Sequence, residues 1–233
     1  FNDVAMTFRV AGKKPELWNP TTGETRPLNA WKIEDGRTTL PLSFGPQESF
    51  FVVFTTPTDA VASNGSNNLE LKTLANLESG WTVKFDSGEI KRGPKDPVKF
   101  DALADWAQSN DPAIKYYSGT AVYTTTFKLD AIPAGERIYL SLGDVAEMAK
   151  VKINGEYAGG VWTFPYRLDV TEFVKAGENA VEIEVVNCWV NRLVGDAGLP
   201  EAERKTWCAV GNSENGALKK SGLIGPAVVS SAK

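Results

Sequence analysis

The chain has 233 residues, 42% of them hydrophobic and 23% charged, with 21 Gly and 13 Pro. That is an ordinary globular composition, which excludes collagen-like, coiled-coil and largely disordered classes, and a chain of this length buries roughly 70% of its unfolded surface. Acidic residues exceed basic ones by 29 − 25 = 4, which argues against a nucleic-acid partner, and no apolar run reaches the about 20 residues that a membrane helix needs.

Alternating apolar positions dominate the chain, the signature of strands with one buried face. Val4, Met6, Phe8 and Val10 alternate, and so do Leu40, Leu42 and Phe44. The first set is expected to pack against the strands of 40–54, with one sheet edge left open. Between the two sets lies 16–25, where Asn19-Pro20 followed by Gly23 marks a hairpin turn. Phe50-Phe51-Val52-Val53-Phe54 is continuously apolar, as expected of a strand covered on both faces. Small and polar residues fill 57–68, which reads as a linker or long surface loop. The expected boundary divides the chain into residues 1–66 and 67–233.

Strand patterns resume at Trp81, Val83 and Phe85. Residues 101–106 suggest one short helical turn. Ala121, Tyr123, Thr125, Phe127 and Leu129 share a strand face; Ile138, Leu140 and Leu142 share another, and Ala149, Val151 and Ile153 a third. Asn154-Gly155 is a strong two-residue hairpin signal. Val181, Ile183 and Val185 give the last clear alternation, and a second set, Val186, Cys188 and Val190, follows one residue out of phase. This slip predicts a β-bulge, beyond which Asn187, Trp189 and Asn191 would share one strand face. No long amphipathic helix and no internal repeat appears. The predicted class is all-β, with two antiparallel sandwich-like units, the first small and incomplete.

The chain contains no histidine. A Ser-His-Asp triad, a Cys-His pair and a His-bearing zinc site are therefore excluded. Acid–base chemistry would fall to carboxylates, Lys or Tyr. Glycoside hydrolysis needs two carboxylates at a defined separation, but no spacing marks out a pair among the 29 acids. Asp144, Glu147, Asp196 and Glu201 read as loop acids. No cofactor is implied; a structural calcium, with Asp144 and Asp169 as candidate ligands, is left open. The two cysteines, Cys188 and Cys208, are too few for a disulfide scaffold. They read as two buried thiols, with a bridge as the alternative. No phosphate-cradling glycine motif occurs. The sequence starts at Phe1 without a signal-peptide pattern, so it reads as a fragment or processed product.

Sugar recognition needs flat apolar rings for pyranose C–H faces and directional groups for hydroxyls. Two segments carry that mixture: Trp162, Tyr166 and Arg167 in one, Asn187, Trp189, Asn191, Arg192 and Asp196 in the other. These eight residues are the candidate carbohydrate contacts. The plainer reading makes the tryptophans core residues and has Arg192 pair with Asp196 to pin a loop.

From Tyr116 onward the sequence resembles the sugar-binding jelly-roll domain of family-2-type glycoside hydrolases. The stretches that carry this are 116–123, 137–145, Asn154-Gly155 with its flanks, 168–171 and Gly177-Glu178-Asn179. The segments 162–171, 187–196 and 221–226 also resemble the C-terminal region of bacterial α-L-rhamnosidases. Residues 1–57, with 15–23, resemble the strands that follow the catalytic (β/α) barrel in such enzymes. The resemblance implies a galactose-binding-like jelly roll in a non-catalytic accessory region of a secreted or periplasmic enzyme. By this resemblance the enzyme's catalytic barrel, which would need about 250 residues of its own, would lie before Phe1 in the same polypeptide. A carbohydrate, of plant or bacterial polysaccharide, is the implied partner, and an autonomous carbohydrate-binding module is the rival reading.

Overall fold

A computed structural model describes residues 2–208 and 216–233. The chain divides into two compact units, Phe1–Glu70 and Leu71–Lys233.

The first unit contains β1 (Asn2–Phe8), β2 (Lys13–Trp18), β3 (Thr25–Pro27), β4 (Ala30–Glu34), β5 (Arg37–Phe44), β6 (Phe51–Pro57) and β7 (Ala62–Asn64). Two antiparallel sheets form, ordered β1-β5-β4-β7 and β3-β2-β6. Leu28, Trp31, Leu40 and Leu42 make the buried core, with Phe8, Leu17, Phe50 and Phe54 packed on it. The hairpin at 16–25 forms as expected: the Asn19 side chain accepts from the Thr21 amide at 2.8 Å, and Gly23 takes the positive φ that closes the turn.

Three expectations need correction in this unit. β1 pairs with β5, Val4 opposite Leu42 and Met6 opposite Leu40. Yet Val4 and Met6 stay exposed on this edge strand, whose Phe8 at the far end is the apolar side chain that reaches the core. β6 is not covered on both faces: it is also an edge strand, and Phe51 is 62% exposed. The 57–68 stretch is not a plain linker, since it contributes β7 to the first sheet. Its Asn67 is buried and clamps the unit, accepting from the Ala30 amide at 2.7 Å and donating to the carbonyls of Ala30 and Pro41.

The second unit contains β8 (Lys72–Asn76), β9 (Trp81–Phe85), β10 (Val98–Phe100), α1 (Pro112–Lys115), β11 (Thr120–Leu129), β12 (Arg137–Ser141), β13 (Asp144–Ala146), β14 (Met148–Ile153), β15 (Glu156–Val161), β16 (Arg167–Asp169), β17 (Gly177–Val186), α2 (Val190–Ala197), β18 (Gly222–Gly225) and β19 (Val228–Ala232). A six-stranded sheet, β10-β9-β11-β17-β14-β15, faces a four-stranded one, β16-β12-β19-β8. β13 and β18 form a short pair beside them. All pairings between strands are antiparallel, so the unit is an all-β sandwich.

The period-2 pattern builds this core directly. Val83, Tyr123, Ile183 and Val151 are adjacent in register across four strands, and all are fully buried. Ile138, Leu140 and Val229 meet them from the other sheet. An aromatic cluster of Phe85, Trp106, Tyr117 and Tyr123 closes one side. Trp106 stacks on Tyr123 and donates its indole N–H to the phenol at 2.6 Å; that phenol also accepts from the Leu223 amide. Both polar tips inside this apolar layer are therefore satisfied. Gly222 holds φ +92, and a Cβ there would lie 2.5 Å from the Trp106 ring, so only glycine passes that close.

The helical turn expected at 101–106 begins later, at Trp106, with Asp105 as its N-cap. Asn154 and Gly155 both adopt positive φ and turn β14 into β15, as the sequence predicts.

Candidate functional site

The predicted contact residues collect where β17 ends. Register with β11 and β14 runs unbroken to Val186, which pairs with Thr120 and Met148. There is no bulge at Val185-Val186. The phase slip marks the end of the strand, and the chain enters the helix α2 four residues later. Helical positions 190, 193, 194 and 197 are apolar, a period-3.6 signal that overlaps the strand pattern. Asn187, Trp189 and Asn191 therefore do not share a strand face.

Asn187 and Asn191 instead converge on Ser221. Asn187 donates to the Tyr117 carbonyl and the Ser221 hydroxyl, both at 3.0 Å, and accepts from the Gly119 amide at 2.8 Å. Asn191 donates to Ser221 Oγ and the Lys219 carbonyl at 2.8 Å, and accepts from the Lys219 amide at 2.8 Å. Ser118 accepts the Arg192 amide at 3.0 Å. Three chain segments, 117–119, 187–192 and 219–221, are thus joined through buried side chains. Each such bond, if broken, would leave a buried polar group unpaired, at about 1–3 kcal/mol.

One helical turn further on, Arg192 Nη2 meets Asp196 Oδ1 at 2.8 Å, and both side chains are almost wholly buried. Asp196 Oδ2 accepts from the amides of Lys205 and Thr206 and from the Thr206 hydroxyl, at 3.1, 2.9 and 2.7 Å. Arg92 Nε lies 3.6 Å from the same carboxylate, and its guanidinium donates to the Glu203 carbonyl. Burial alone would raise the Asp196 pKa. The Thr206 hydroxyl, the Arg192 charge and the two amides outweigh it and hold the carboxyl below its ordinary value. Burial in turn lowers the pKa of Arg192, against the opposing pull of Asp196.

Four of the eight predicted contacts, Asn187, Asn191, Arg192 and Asp196, are therefore interior. Their side chains are bonded or ion-paired to neighbouring segments of the protein, an arrangement that fits the loop-pinning reading of Arg192 and Asp196. The tryptophans go the other way: Trp162 is 58% and Trp189 46% exposed, so neither is core. Tyr166 and Arg167 are half-buried. The Arg167 guanidinium lies 5.5 Å from the centre of the Tyr139 ring. Burial raises the Tyr166 phenol pKa, helped by the negative charges of Asp144 and Glu147. Asp144 is paired with Lys220 at 3.1 Å, and Asp169 with Arg137 and the Thr171 hydroxyl. Both calcium candidates thus serve other partners. The two thiols are not buried: Cys188 is half-buried and Cys208 exposed.

Trp162, Tyr166, Trp189 and Arg167 keep exposed surface, as does the Asp144–Lys220 pair beside Tyr166; these six residues are called the rim. Sequence reasoning passed over Ser118 and Ser221, on which the interior network depends. No local spacing marks them, because their partners Asn187, Asn191 and Arg192 lie 34, 30 and 74 residues away in the chain.

Comparison with known proteins matches residues 102–220, just over half of the chain, to the glycosyl hydrolase 2 galactose-binding domain-like family. A rhamnosidase from Novosphingobium sp. PP1Y superposes with a TM-score of 0.84 at 36% identity, covering 97% of this chain and 21% of that one. A putative beta-glucuronidase of Formosa agariphila is 35% identical over 215 residues, which is 87% of this chain and 17% of the relative. A beta-galactosidase of Thermoanaerobacter pseudethanolicus is 35% identical over 74 residues, 30% of this chain and 10% of that protein. The chain thus spans about a fifth or less of each. Its sandwich, its strand order and these matches agree: the chain belongs to the glycosyl hydrolase 2 galactose-binding domain-like family.

Proposed function

We propose that the chain is a non-catalytic β-sandwich region of a secreted, α-L-rhamnosidase-like glycoside hydrolase. In this reading the second unit supports, and with its rim helps to line, the carbohydrate cleft of a catalytic barrel elsewhere in the same polypeptide. The supporting observation is the likeness at 36% identity over 97% of this chain to a segment amounting to only 21% of a rhamnosidase. The acids of the site fit a supporting role, since Asp196 and Asp144 are engaged in ion pairs within the unit.

The rim supplies what a cleft wall needs. Trp189 offers an exposed ring to a pyranose face, and Arg167, Asp144 and Lys220 offer donors and acceptors to hydroxyls. The interior network keeps the rim in place, because α2 is bonded to 117–119 and 219–221 beneath it.

The test compares the isolated chain with the longer polypeptide on aryl α-L-rhamnosides. The isolated chain should show no turnover. In the longer polypeptide Trp189→Ala should lower kcat/KM about tenfold with unchanged melting, as expected for loss of about 1.4 kcal/mol of substrate contact. Turnover by the isolated chain, or unchanged kinetics in the variant, overturns the reading. The second reading, an autonomous carbohydrate-binding module, draws on the closed core of the second unit. It requires the isolated chain to bind sugar and Trp189→Ala to leave catalysis unaltered.

A further inference from the structure

The outer face of the six-stranded sheet carries a feature apart from the rim's interior network. β15 is the edge strand of that sheet. Its inward positions are filled: Val161 is buried opposite Ala149, and a Cβ on Gly159 would touch Leu168. Its outward positions are Tyr157, Gly160 and, one residue past the strand, Trp162. Tyr157 is 60% exposed, and its hydroxyl lies 3.5 Å from where a Gly160 Cβ would stand. The tyrosine side chain thus runs along the strand and over the glycine. Alternation carries Trp162 out on the same side, beyond Val161. Two exposed aromatic residues, Tyr157 on β15 and Trp162 just past its end, thus flank Gly160, over which the tyrosine side chain extends.

The neighbouring rows are polar beside Tyr157 and Gly160, and apolar at the Trp162 end, where Met148 is exposed on the same face of β14. Gly160 pairs with Lys150 on β14, and β17 lies beyond. Lys150 pairs with Glu184 at 3.2 Å and Lys152 with Glu182 at 2.8 Å. Lys152 and Glu182 also wall a groove of about 620 Å³ whose lining includes the hydroxyls of Thr82, Thr124 and Thr126.

We propose that Tyr157, Gly160 and Trp162 form a stacking platform for a neutral polysaccharide chain, which the flanking Lys–Glu pairs and threonines hydrogen-bond. The rings offer flat apolar faces, as successive sugar C–H faces require, and the glycine leaves room for Tyr157 to lie along the strand. The charge pattern decides against a polyanion or polycation, because the cations beside the platform are matched one to one by carboxylates. The exposed apolar side chains are Tyr157, Trp162 and Met148, bordered by the two Lys–Glu pairs, a smaller apolar patch than the core of a protein interface. The inference deepens the carbohydrate part of the reading above, but it needs no catalytic partner.

The experiment is affinity electrophoresis of the 233-residue chain in native gels containing neutral β-glucan, xyloglucan or galactomannan, or the polyanions polygalacturonate or heparin. At least one neutral polymer should retard the wild type. Tyr157→Ala and Trp162→Ala should each weaken that retardation about tenfold or more, the loss expected of a contact aromatic. Both side chains are exposed, so melting should not change. Gly160→Leu fills the step beneath the tyrosine and should act likewise, while Trp18→Ala, an exposed tryptophan of the first unit, should behave as wild type. Retardation by no neutral polymer, retardation by polyanions alone, or equal retardation of all variants overturns the proposal. So does concentration-dependent self-association in light scattering that Trp162→Ala abolishes, since the platform would then seat a second copy. Failure here leaves the kinetic test of the longer polypeptide untouched, so the two readings fail separately.

Discussion

The two units share one sequence pattern and reach different degrees of closure. In β1, Val4 and Met6 alternate as regularly as Ala121 and Tyr123 do in β11, yet the former are exposed and the latter fully buried. The difference is the second layer. β11 lies inside a six-stranded sheet with a four-stranded sheet across the core, whereas β1 is an edge strand covered at Phe8 and open at Val4 and Met6. Period-2 alternation tells which side chains share a face; it does not tell whether that face is covered. The first unit has four buried apolar side chains at its centre, and the second has a continuous core from Leu77 to Val229. The second should therefore be much the more stable.

Calorimetry of single-site variants can break or sharpen that contrast. Trp106→Ala removes a buried ring and leaves the Tyr123 phenol without its indole donor. It should cost about 3–5 kcal/mol and lower only the second unit's transition. If both units melt together, the contrast fails. Arg192→Ala strands the buried Asp196 carboxylate and should cost about 3–5 kcal/mol, again in the second unit. Limited proteolysis should then cut within 199–208 first. Leu40→Ala should cost about 2–5 kcal/mol and shift only the first unit's transition, the smaller core having less to lose before it melts. Acid provides a graded test. The Asp196 carboxyl is held below its ordinary value, so its contribution is complete above the unfolded carboxylate pKa of about 4 and is lost as pH falls through the lower folded value. Amide exchange at Lys205 and Thr206 should accelerate in that window while the amides of β11 stay protected. The smallest effect belongs to Lys152→Ala, which removes an exposed ion pair and should change stability by less than about 1 kcal/mol.

Much of the architecture was legible in the sequence. The strands around Tyr123, Leu140, Val151 and Ile183, the Asn154-Gly155 hairpin and the all-β class follow from alternation and turn chemistry. Edge and centre were not legible, because coverage is set by pairing across long sequence separations. Hence β6 looked buried and the β7 segment looked like a linker. The site was legible in composition but not in role. Trp162 and Trp189 are at the surface, whereas Asn187, Asn191, Arg192 and Asp196 are interior. A polar residue near an aromatic has the same look whether it faces a ligand or a neighbouring backbone. Only Ser221, Gly119 and Thr206, each distant in sequence from its partner, decide between the two.

Asp196 also says something about the order of assembly. Its carboxylate is matched by Arg192 one turn away, by Arg92 a hundred residues earlier and by the amides of Lys205 and Thr206 later in the chain. Until all of these arrive, a desolvated carboxylate there is costly, so the group stays hydrated while the sheets form. The docking of 199–206 is therefore expected to follow the sheets on the folding route, after the rate-limiting barrier. Asp196→Asn should accordingly speed unfolding and leave the refolding rate almost unchanged. The same lateness makes this corner the natural first point of opening in the finished molecule, a local hinge of lability beside an otherwise closed sandwich.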